Sequence, residues 1–477
     1  MAPRVDPVHT TAELPAGADV VVIGGGIVGA STALFLAERG VSVALCEKGR
    51  IAGEQSSRNW GWCRKMGRDL AEVPLAVESM RLWEGMKARA QAETGFRQTG
   101  VIYLCETAEE AAKHEAWLGQ AKAYQIDSRL IGPDEIDRLL PGSSRRWPAA
   151  LYTPSDGCAE PEKATSSIAN AAFRKGAAIL ETCAVRGLET TAGRLSGVVT
   201  ERGPIRCSKA VLAGGAWSRL FCGNLGVELP QLKLLASVMR SGPVEGAPDR
   251  AAGADNFAFR KRLDGGYTIA RRNANVAALT PDSFRLFFDF LPALVTQWHE
   301  LRLRVGRSFL EEWRIPRRWA LDAETPFEQV RTLDPAPSRA ILDEGERNLV
   351  RSFLEEWRIP RRWALDAVTP FETVRTLDPA PSHGILDEGG RNLVRSFPAF
   401  GGMKVAERWA GVIDATPDGV PVISEVPSLP GFYIASGFSG HGFGIGPGAG
   451  HLMADLVMGE TPMVEPTPYR YGRLIKV

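Results

Sequence analysis

The sequence predicts a two-domain α/β protein built around a Rossmann-like unit near its N-terminus. Residues 18–47 have the pattern of strand, glycine-rich turn, helix and second strand, which is the order of a parallel βαβ unit. A further strand that runs into a glycine turn and a helix start lies at 210–218. At 477 residues the chain exceeds one typical domain, so we expect two.

The βαβ unit carries the pattern of a dinucleotide site. The apolar run Val20–Ile23 predicts a buried strand, and Gly24, Gly26 and Gly29 follow it at the fingerprint spacing. They would allow the tight turn, the approach of a pyrophosphate and close helix–strand packing, respectively. Glu47, at the end of the second strand, would accept hydrogen bonds from a ribose, which favours FAD or NAD over NADP. The alternative is a glycine-rich turn in an ordinary βαβ unit.

Composition and charge exclude several classes of protein. Lysine plus arginine (57) balance aspartate plus glutamate (56), so no basic field indicates nucleic acid or anionic lipid. We find no apolar stretch long enough to span a membrane, and residues 2–17 lack a signal-peptide core. The seven cysteines are odd in number and form no CxxC pair, which favours a cytoplasmic protein without disulfides or a metal site.

The rest of the chain alternates strands and helices. Residues 49–69 are rich in glycine, serine, aromatic residues and arginine, and predict an irregular loop. Helices are predicted at 70–92, 107–124, from 132, 161–175, 281–303 and 449–458. Strands are predicted at 96–105, 177–185, 195–200, 204–207, 232–240, 256–262, 266–272, 405–412, 419–423 and 432–435.

A tandem repeat occupies the region before the C-terminal part. Residues 307–350 recur at 351–394 with only five differences: Glu324/Val368, Gln329/Thr373, Arg339/His383, Ala340/Gly384 and Glu346/Gly390. Two copies do not form a solenoid. We expect one copy to belong to the fold and the other to be an exposed insertion, whose apolar positions a homodimer contact would cover.

Four motifs resemble one family of flavoenzymes. The opening unit, VLAGGAWS (211–218), TPDGVPVIS (416–424) and GFSGHGFGIGPGAG (437–450) resemble the FAD-dependent D-amino-acid oxidase superfamily, which includes glycine and sarcosine oxidases. SSRNWGW, RRWALDA and LDPAP look like a bacterial branch that includes reconstructed ancestral L-amino-acid oxidases. The resemblance covers nearly the whole chain.

The resemblance implies a domain arrangement that is discontinuous in sequence. A Rossmann-like FAD-binding domain would comprise 18–95, 155–225 and 400–460. An α+β substrate domain with an antiparallel sheet would comprise 96–154 and 226–399, including the repeat, and 461–477 would be a tail. The flavin would lie between the domains.

The resemblance also implies which residues contact FAD. They come from the opening unit, the loop after it, a strand end, the middle glycine turn and the glycine-rich loop: Gly24, Gly26, Ile27, Val28, Gly29, Glu47, Lys48, Ser56, Ser57, Arg58, Val185, Gly214, Gly215, Trp217, Gly440, Gly442, Phe443, Gly444 and Ile445. The family attaches flavin through Cys or His at positions where this chain has neither, so we expect noncovalent FAD.

The substrate carboxylate needs a cation, and here the chain departs from its relatives. Glycine oxidase-like members carry an arginine where this chain reads Ala410–Asp414, and sarcosine oxidases carry a lysine where it has Gly444. The remaining catalytic candidates are Arg64, Arg68, Arg271, Arg272, Trp217 and His441. Arg271 and Arg272 are adjacent in a predicted strand, so only one of them can face the flavin. Trp217 could reach the substrate side, while His441 is either a hydrogen-bond partner or a packed residue.

These features predict an FAD-dependent oxidase of L-amino acids. Hydride transfer from Cα to flavin N5 would give an imino acid, then a 2-oxo acid and ammonia, with hydrogen peroxide from O2. One alternative is a secondary-amine or D-amino-acid oxidase, or a dehydrogenase that uses another electron acceptor. Another is a flavin-binding regulatory protein without catalysis. We expect a cytoplasmic homodimer that binds neither nucleic acid nor membrane.

Overall fold

The fold consists of a parallel nucleotide-binding sheet and a larger, mostly antiparallel sheet. A computed structural model describes residues 3–297, 301–305, 372 and 374–475. In spatial order, the strands of the first sheet are Val422–Glu425, Phe432–Ser436, Lys209–Leu212, Val20–Ile23, Val43–Cys46 and Ala178–Leu180. All neighbouring pairs are parallel except the first, Val422–Glu425 with Phe432–Ser436. This is the Rossmann-like arrangement that the sequence predicts.

Among the described residues, the larger sheet has ten strands. Nine follow one another in the order Leu301–Val305, Asn275–Leu279, Leu232–Ser241, Tyr267–Ala270, Ala258–Lys261, Ala251–Gly253, Val101–Cys105, Ala149–Thr153 and Arg129–Ile131. The tenth, Val405–Ala415, pairs antiparallel with Leu232–Ser241. The sequence predicts 400–460 as part of the FAD-binding domain; within that range, residues 405–415 pair into the larger sheet. The predicted hairpin at Asp264-Gly265 joins two antiparallel strands of this sheet.

Two small sheets and a set of helices complete the described part of the chain. The small sheets are formed by Val185–Thr191, Arg194–Thr200 and Gly203–Arg206, and by Trp62–Cys63 with Gly157–Cys158. The α-helices are Ile27–Glu38, Gln55–Arg58, Val73–Ala90, Ala108–Ala121, Pro133–Leu139, Pro161–Arg174, Ser218–Asn224, Pro281–Arg285, Phe287–Gln297, His383–Ser396 and Gly442–Met458. Short 3-10 turns are Lys122–Tyr124, Gly215–Trp217, Pro398–Gly402, Thr467–Tyr469 and Tyr471–Leu474.

The larger sheet has two different faces, which matter for the site. One face packs an apolar cluster that includes Phe259 and Ile269 against helix His383–Ser396. The other face carries Val101, Tyr103 and Ala258 and contacts Trp62 and Met66 of the segment 49–69. This second face is therefore covered by the segment that follows the βαβ unit.

Three predictions of local structure need correction. The segment 49–69 is not wholly irregular, because Gln55–Arg58 is helical and Trp62–Cys63 forms a strand. The helix predicted over 281–303 is two helices followed by the strand Leu301–Val305, although Pro292 does lie within the second helix. The last helix begins at Gly442 rather than near 449, so much of the predicted glycine loop is helical.

The glycines of that last helix permit close packing. A Cβ at Gly450 would lie 2.5 Å from Ser31 Cβ, and one at Gly448 would lie 3.0 Å from the carbonyl oxygen of Leu75. The helix thus packs between Ile27–Glu38 and Val73–Ala90 at distances that larger residues would prevent. Packing, rather than loop flexibility, explains this part of the glycine run.

Only part of the repeat can be related to the fold. The first copy, 307–350, lies outside the described residues, as does most of 351–373. Within the second copy, residues 374–394 are described and end in helix His383–Ser396, whose Leu386 and Leu393 join the core of the larger sheet.

Candidate FAD and substrate site

A groove runs along the carboxyl ends of the parallel strands. It is bordered by the turn Gly24–Gly26, by Glu47 and Lys48, by residues 52–56, by Val185 and by residues 212–217. Val412 and Asp414 of the larger sheet also line it, so both sheets contribute to one groove. Ligands of open parallel α/β sheets bind at this edge.

The first glycine turn has the geometry that its sequence predicts. Gly24 has φ of +109°, and a Cβ there would lie 2.5 Å from the carbonyl oxygen of Ala213. A Cβ at Gly29 would lie 2.0 Å from the carbonyl oxygen of Gly24. Both glycines are therefore required by close approaches within the βαβ unit.

The N-terminus of the helix that follows the turn has the features of a phosphate-binding site. Ser56 Oγ accepts a hydrogen bond of 2.8 Å from the N–H of Ile27, the first residue of the helix. No described residue accepts a hydrogen bond from the N–H of Gly26. A Cβ at Gly26 would lie 3.1 Å from Ser56 Oγ and would crowd this hydroxyl. These features fit a pyrophosphate at a helix N-terminus.

Glu47 lies where a ribose would bind. Its Oε2 accepts a hydrogen bond from the N–H of Gly25 and its Oε1 from the N–H of Gly49, each at 2.7 Å. Burial raises the pKa of Glu47, although Lys48 and the two N–H groups lower it. Each carboxylate oxygen can accept a further hydrogen bond, as a ribose diol requires.

Glu54 was not predicted and links three walls of the groove. Its carboxylate lies 2.6 Å from Lys48 Nζ and accepts hydrogen bonds from Trp217 Nε1 at 2.9 Å and from the N–H of Leu377 at 2.9 Å. Burial raises the pKa of Glu54, but Lys48 outweighs it and the net direction is downward. Trp217 lines the groove and is held there by Glu54.

Part of the second repeat copy borders the same groove. Lys48 Nζ donates hydrogen bonds to the carbonyl oxygens of Val374 and Arg375 at 2.8 and 3.2 Å. The guanidinium of Arg375 in turn donates to the carbonyl oxygen of Lys48 and pairs with Glu201. Residues 374–378 therefore form part of the wall near Glu47.

Two predicted cofactor residues are used elsewhere. Arg58 is fully buried, and its NH1 pairs with Asp378 at 2.8 Å and donates to the carbonyl oxygen of Ala410 at 2.9 Å. Arg58 thus connects the helix Gln55–Arg58 to the larger sheet instead of facing the groove. Ser57 is also buried, with its hydroxyl 3.2 Å from the carbonyl oxygen of Glu54.

The predicted contacts Gly442, Phe443, Gly444 and Ile445 lie in the last helix, whereas Gly440 lies in the loop before it. Phe443 and Ile445 are buried in the core, Phe443 with its ring 5.4 Å from that of Trp83. A Cβ at Gly444 would lie 3.0 Å from the carbonyl oxygen of Trp62. The loop Gly437–Gly440 precedes the helix, and both its end glycines have positive φ.

His441 belongs to a buried polar cluster at the start of that helix. Its Nδ1 lies 2.9 Å from Glu72 Oε2, and the Glu72 side chain is fully buried. Burial and then the charge of Arg68 lower the pKa of His441 to about 4, so the imidazole is neutral near pH 7. His441 is therefore a hydrogen-bond partner of Glu72.

The four candidate arginines lie in different places. Arg271 pairs through Nε with Glu388 at 3.2 Å, on the face covered by helix His383–Ser396. The guanidinium of Arg272 lies 3.8 Å above the Tyr103 ring. The strand predicted over 266–272 ends at Ala270, so both arginines lie beyond it, and of the two it is Arg272 that lies on the face contacting Trp62 and Met66.

Arg64 and Arg68 approach the same face from the segment 49–69. The guanidinium of Arg64 lies 5.4 Å from the centre of the Tyr103 ring. Arg68 is 3% exposed, its Nε donates to the carbonyl oxygen of Arg64 at 3.3 Å, and its NH1 is buried without a described partner. Burial and the charge of Arg64 lower the pKa of Arg68 to about 10.

Asp156 fixes the backbone that carries these two arginines. Its Oδ1 and Oδ2 accept hydrogen bonds from the N–H groups of Lys65 and Met66, at 2.8 and 3.3 Å. Burial raises the pKa of Asp156 to about 6.

Sequence reasoning missed Glu54, Asp156 and Asp414. Each is a carboxylate outside the glycine motifs, and each holds groups that are distant in sequence. Among the residues with described side chains, no group of three or more His, Cys, Asp or Glu could hold a metal ion. Within the same part of the chain, no helix is both long and apolar enough to cross a membrane.

Comparison with known proteins supports this reading of the groove. Residues 19–456 match the family DAO, FAD dependent oxidoreductase. An L-amino acid deaminase from Proteus myxofaciens, solved with anthranilate, superposes with a TM-score of 0.87 at 32% identity and covers 100% of this chain and 98% of its own. The L-amino acid deaminase from Proteus vulgaris gives 0.84 at 30% identity, covering 97% and 99%.

Curated relatives match over a shorter range. The sarcosine oxidase subunit beta of Arthrobacter is 30% identical over 44% of this chain and 54% of its own length. Human mitochondrial sarcosine dehydrogenase is 27% identical over 49% of this chain and 26% of its own. The chain thus spans between a quarter and about half of these relatives. The predicted cofactor, FAD, and the predicted superfamily are confirmed: the chain belongs to the DAO family of FAD-dependent oxidoreductases.

Proposed function

We propose that the protein is an FAD-dependent L-amino-acid oxidase. Bound FAD would supply the redox chemistry, taking up a hydride from the substrate Cα and passing the two electrons to O2 to give hydrogen peroxide. The substrate loses the hydride and a proton from nitrogen and becomes an imino acid, which water converts into a 2-oxo acid and ammonia. The protein's own task is to hold the carboxylate and the Cα–H in a fixed orientation.

The observation that carries the proposal is the position of Arg272. Its guanidinium stacks on Tyr103 at 3.8 Å, faces the FAD domain and has no carboxylate partner in the described structure. Most other buried or stacked arginines in the described residues are paired with an acid or a carbonyl oxygen. A planar guanidinium that is held in place and unpaired suits bidentate binding of a substrate carboxylate.

The preference for L-amino acids draws on the full-length relatives. The two Proteus proteins that are 30% and 32% identical over almost the whole chain are L-amino acid deaminases. The matches to sarcosine oxidase and sarcosine dehydrogenase cover half of the chain or less and support a second candidate, oxidation of a secondary amine. Identity over the whole chain includes the substrate domain, so we favour the first candidate.

Further features of the proposal concern assembly and location. We propose that FAD is bound noncovalently in the groove between the two sheets. We also propose the predicted domain division, except that residues 405–415 belong to the substrate domain. All seven cysteines are free and buried, which is consistent with a cytoplasmic protein. We also propose that the protein forms a homodimer, as the apolar positions of the repeat suggest.

Anaerobic mixing of the FAD-loaded protein with L-leucine, D-leucine and sarcosine tests the proposal. We expect L-leucine alone to bleach the flavin absorbance, and peroxide to appear when air is admitted. Bleaching by sarcosine or D-leucine instead would favour the second candidate or a D-amino-acid oxidase, and bleaching without peroxide would indicate another electron acceptor. If no amino compound bleaches the flavin, the proposed catalytic function is wrong and a regulatory flavoprotein becomes the better reading.

A further inference from the structure

Two arginines from different domains share one tyrosine. The guanidinium carbon of Arg272 lies 3.8 Å from the centre of the Tyr103 ring, and that of Arg64 lies 5.4 Å from it. Because both distances end at the same point, the two guanidinium groups are at most about 9.2 Å apart. Two cations at this separation repel each other unless an anion lies between them or beside them.

Glu72 and Asp156 act electrostatically on Arg64, but neither forms an ion pair with it. Neither Arg64 nor Arg272 makes an ion pair with a described carboxylate; Arg64 donates only to the carbonyl oxygen of Met66. A stacked arginine elsewhere in the same sheet shows the contrast. Arg129 lies 5.5 Å above Tyr152 but also makes two hydrogen bonds of 2.7 Å to Glu135. An arginine that stacks on a tyrosine can therefore still pair with a carboxylate. Stacking alone does not explain why Arg64 and Arg272 have no such pair.

A third cation makes the local charge more positive. Arg68 lies directly behind Arg64, donates to its carbonyl oxygen and has a buried NH1 without a described partner. Glu72 and Asp156 both act on Arg68, but Glu72 is already engaged with His441 at 2.9 Å and Asp156 with the N–H groups of Lys65 and Met66. Three arginines with Glu72 and Asp156 leave a local charge of about +1, and because both carboxylates are engaged elsewhere, Arg64 and Arg272 each remain open to an incoming carboxylate.

We propose that this site selects L-amino acids with a second carboxylate in the side chain, such as L-glutamate and L-aspartate. This inference rests on the proposed function, in which Arg272 binds the α-carboxylate. Arg64 would then bind the side-chain carboxylate across the Tyr103 ring, and Arg68 would strengthen the positive field around it. A four- or five-carbon dicarboxylate can bend to reach two guanidinium groups that are at most about 9.2 Å apart.

Two comparisons on the FAD-loaded protein test this selectivity. In anaerobic titrations, half-maximal flavin reduction should require at least tenfold less L-glutamate than L-glutamine, which has the same shape without the charge. In the oxidised protein, glutarate should perturb the flavin spectrum at a concentration at least tenfold lower than butyrate does. The second comparison measures binding without turnover and needs no variant.

Arg64→Met locates the effect, with Arg129→Met as the matched control because Arg129 also stacks on a tyrosine. We expect Arg64→Met to reduce both preferences to less than threefold and Arg129→Met to leave both unchanged. Equal affinity for glutarate and butyrate in the unmodified protein, or a preference that persists in Arg64→Met, would overturn the inference. If glutarate binds selectively through Arg64 but no amino acid reduces the flavin, the anion site stands and the proposed oxidase function fails.

Discussion

Asp414 Oδ2 accepts a hydrogen bond of 2.7 Å from the N–H of Gly437 and so connects the end of strand Val405–Ala415 to the glycine-rich loop. The same oxygen lies 3.3 Å from the side chains of Gln231 and Ser436. Both of these side chains also donate to the carbonyl oxygen of Gly215, at 3.2 Å. One buried carboxylate therefore connects the glycine-rich loop to the turn at Gly215, which lines the groove.

Asp414→Asn should weaken FAD binding by roughly tenfold. The substitution keeps the shape but removes the charge, and charge-assisted hydrogen bonds are about twice as strong as neutral ones. The dissociation constant of FAD, measured by titration of the apoprotein, checks this expectation. Asp418→Asn, at an exposed aspartate four residues later, is the control and should bind FAD normally. An unchanged dissociation constant in Asp414→Asn would show that the loops do not depend on this carboxylate.

Asp156 should make the stability of the protein fall as pH rises. Burial raises its pKa from about 4 to about 6, so the folded state favours the protonated form. The stabilisation is complete below about pH 4 and is lost as pH rises past about 6, a change of about 3 kcal/mol. In Asp156→Asn this contribution is absent at every pH.

Urea unfolding at pH 4.5 and pH 7 measures the effect as a difference between proteins. On going to the higher pH, the free energy of unfolding of the unmodified protein should fall relative to that of Asp156→Asn. Asp134→Asn, at a strongly exposed aspartate, should follow the unmodified protein. Parallel pH dependence in all three proteins would contradict the assignment of a raised pKa to Asp156.

The repeat allows an unusually well-matched pair of deletions. Removal of 307–350 or of 351–394 gives chains of equal length that differ at only five positions. One of these positions is Gly390, which is buried and whose added Cβ would lie 3.1 Å from Met239 Cε. The first copy has Glu346 at the corresponding place, and a buried unpaired carboxylate costs several kcal/mol.

We therefore expect the chain without 307–350 to keep FAD and its thermal midpoint. The chain without 351–394 should melt about 5 °C lower or more. In the first of these chains, Gly390→Glu alone should reproduce most of the loss, and Gly384→Ala, where an added Cβ meets no atom within 4 Å, should not. Equal melting of the two deletion chains would mean that either copy can serve the fold.

The sequence predicted the parts of the fold that depend on short-range order. Gly24 and Gly29 are required by contacts within one βαβ unit, and their spacing therefore reveals them. The sequence predicts that Arg58 binds phosphate. The structure pairs Arg58 with Asp378 and the carbonyl oxygen of Ala410, which no local pattern reveals because both are more than 300 residues away in the chain. Asp414 was overlooked for the same reason, since backbone N–H groups from a distant loop leave no mark in the sequence.

The choice between Arg271 and Arg272 as the carboxylate anchor depends on which face of the larger sheet meets the FAD domain. Strand alternation predicted that Arg271 and Arg272 point in opposite directions, but it does not say which face meets the FAD domain. The packing of Ala258 and Tyr103 against Trp62 identifies that face, and it depends on the order of strands in the ten-stranded sheet. Strand order arises from long-range pairing that no local pattern encodes.

Arg272→Met should weaken carboxylate binding by roughly a hundredfold, because it removes a bidentate charge-assisted pair. Arg271→Met provides a neighbouring control: it should lower stability by loss of the Glu388 pair but change affinity by less than threefold. Benzoate, a carboxylate that cannot be oxidised at Cα, can be titrated into the oxidised FAD-loaded proteins with the flavin spectrum as readout. Arg272→Lys should recover only part of the affinity, since an ammonium cannot bind both carboxylate oxygens in the plane of a guanidinium. If Arg271→Met loses benzoate affinity and Arg272→Met does not, the carboxylate binds on the other face of the sheet and the proposed anchor is wrong.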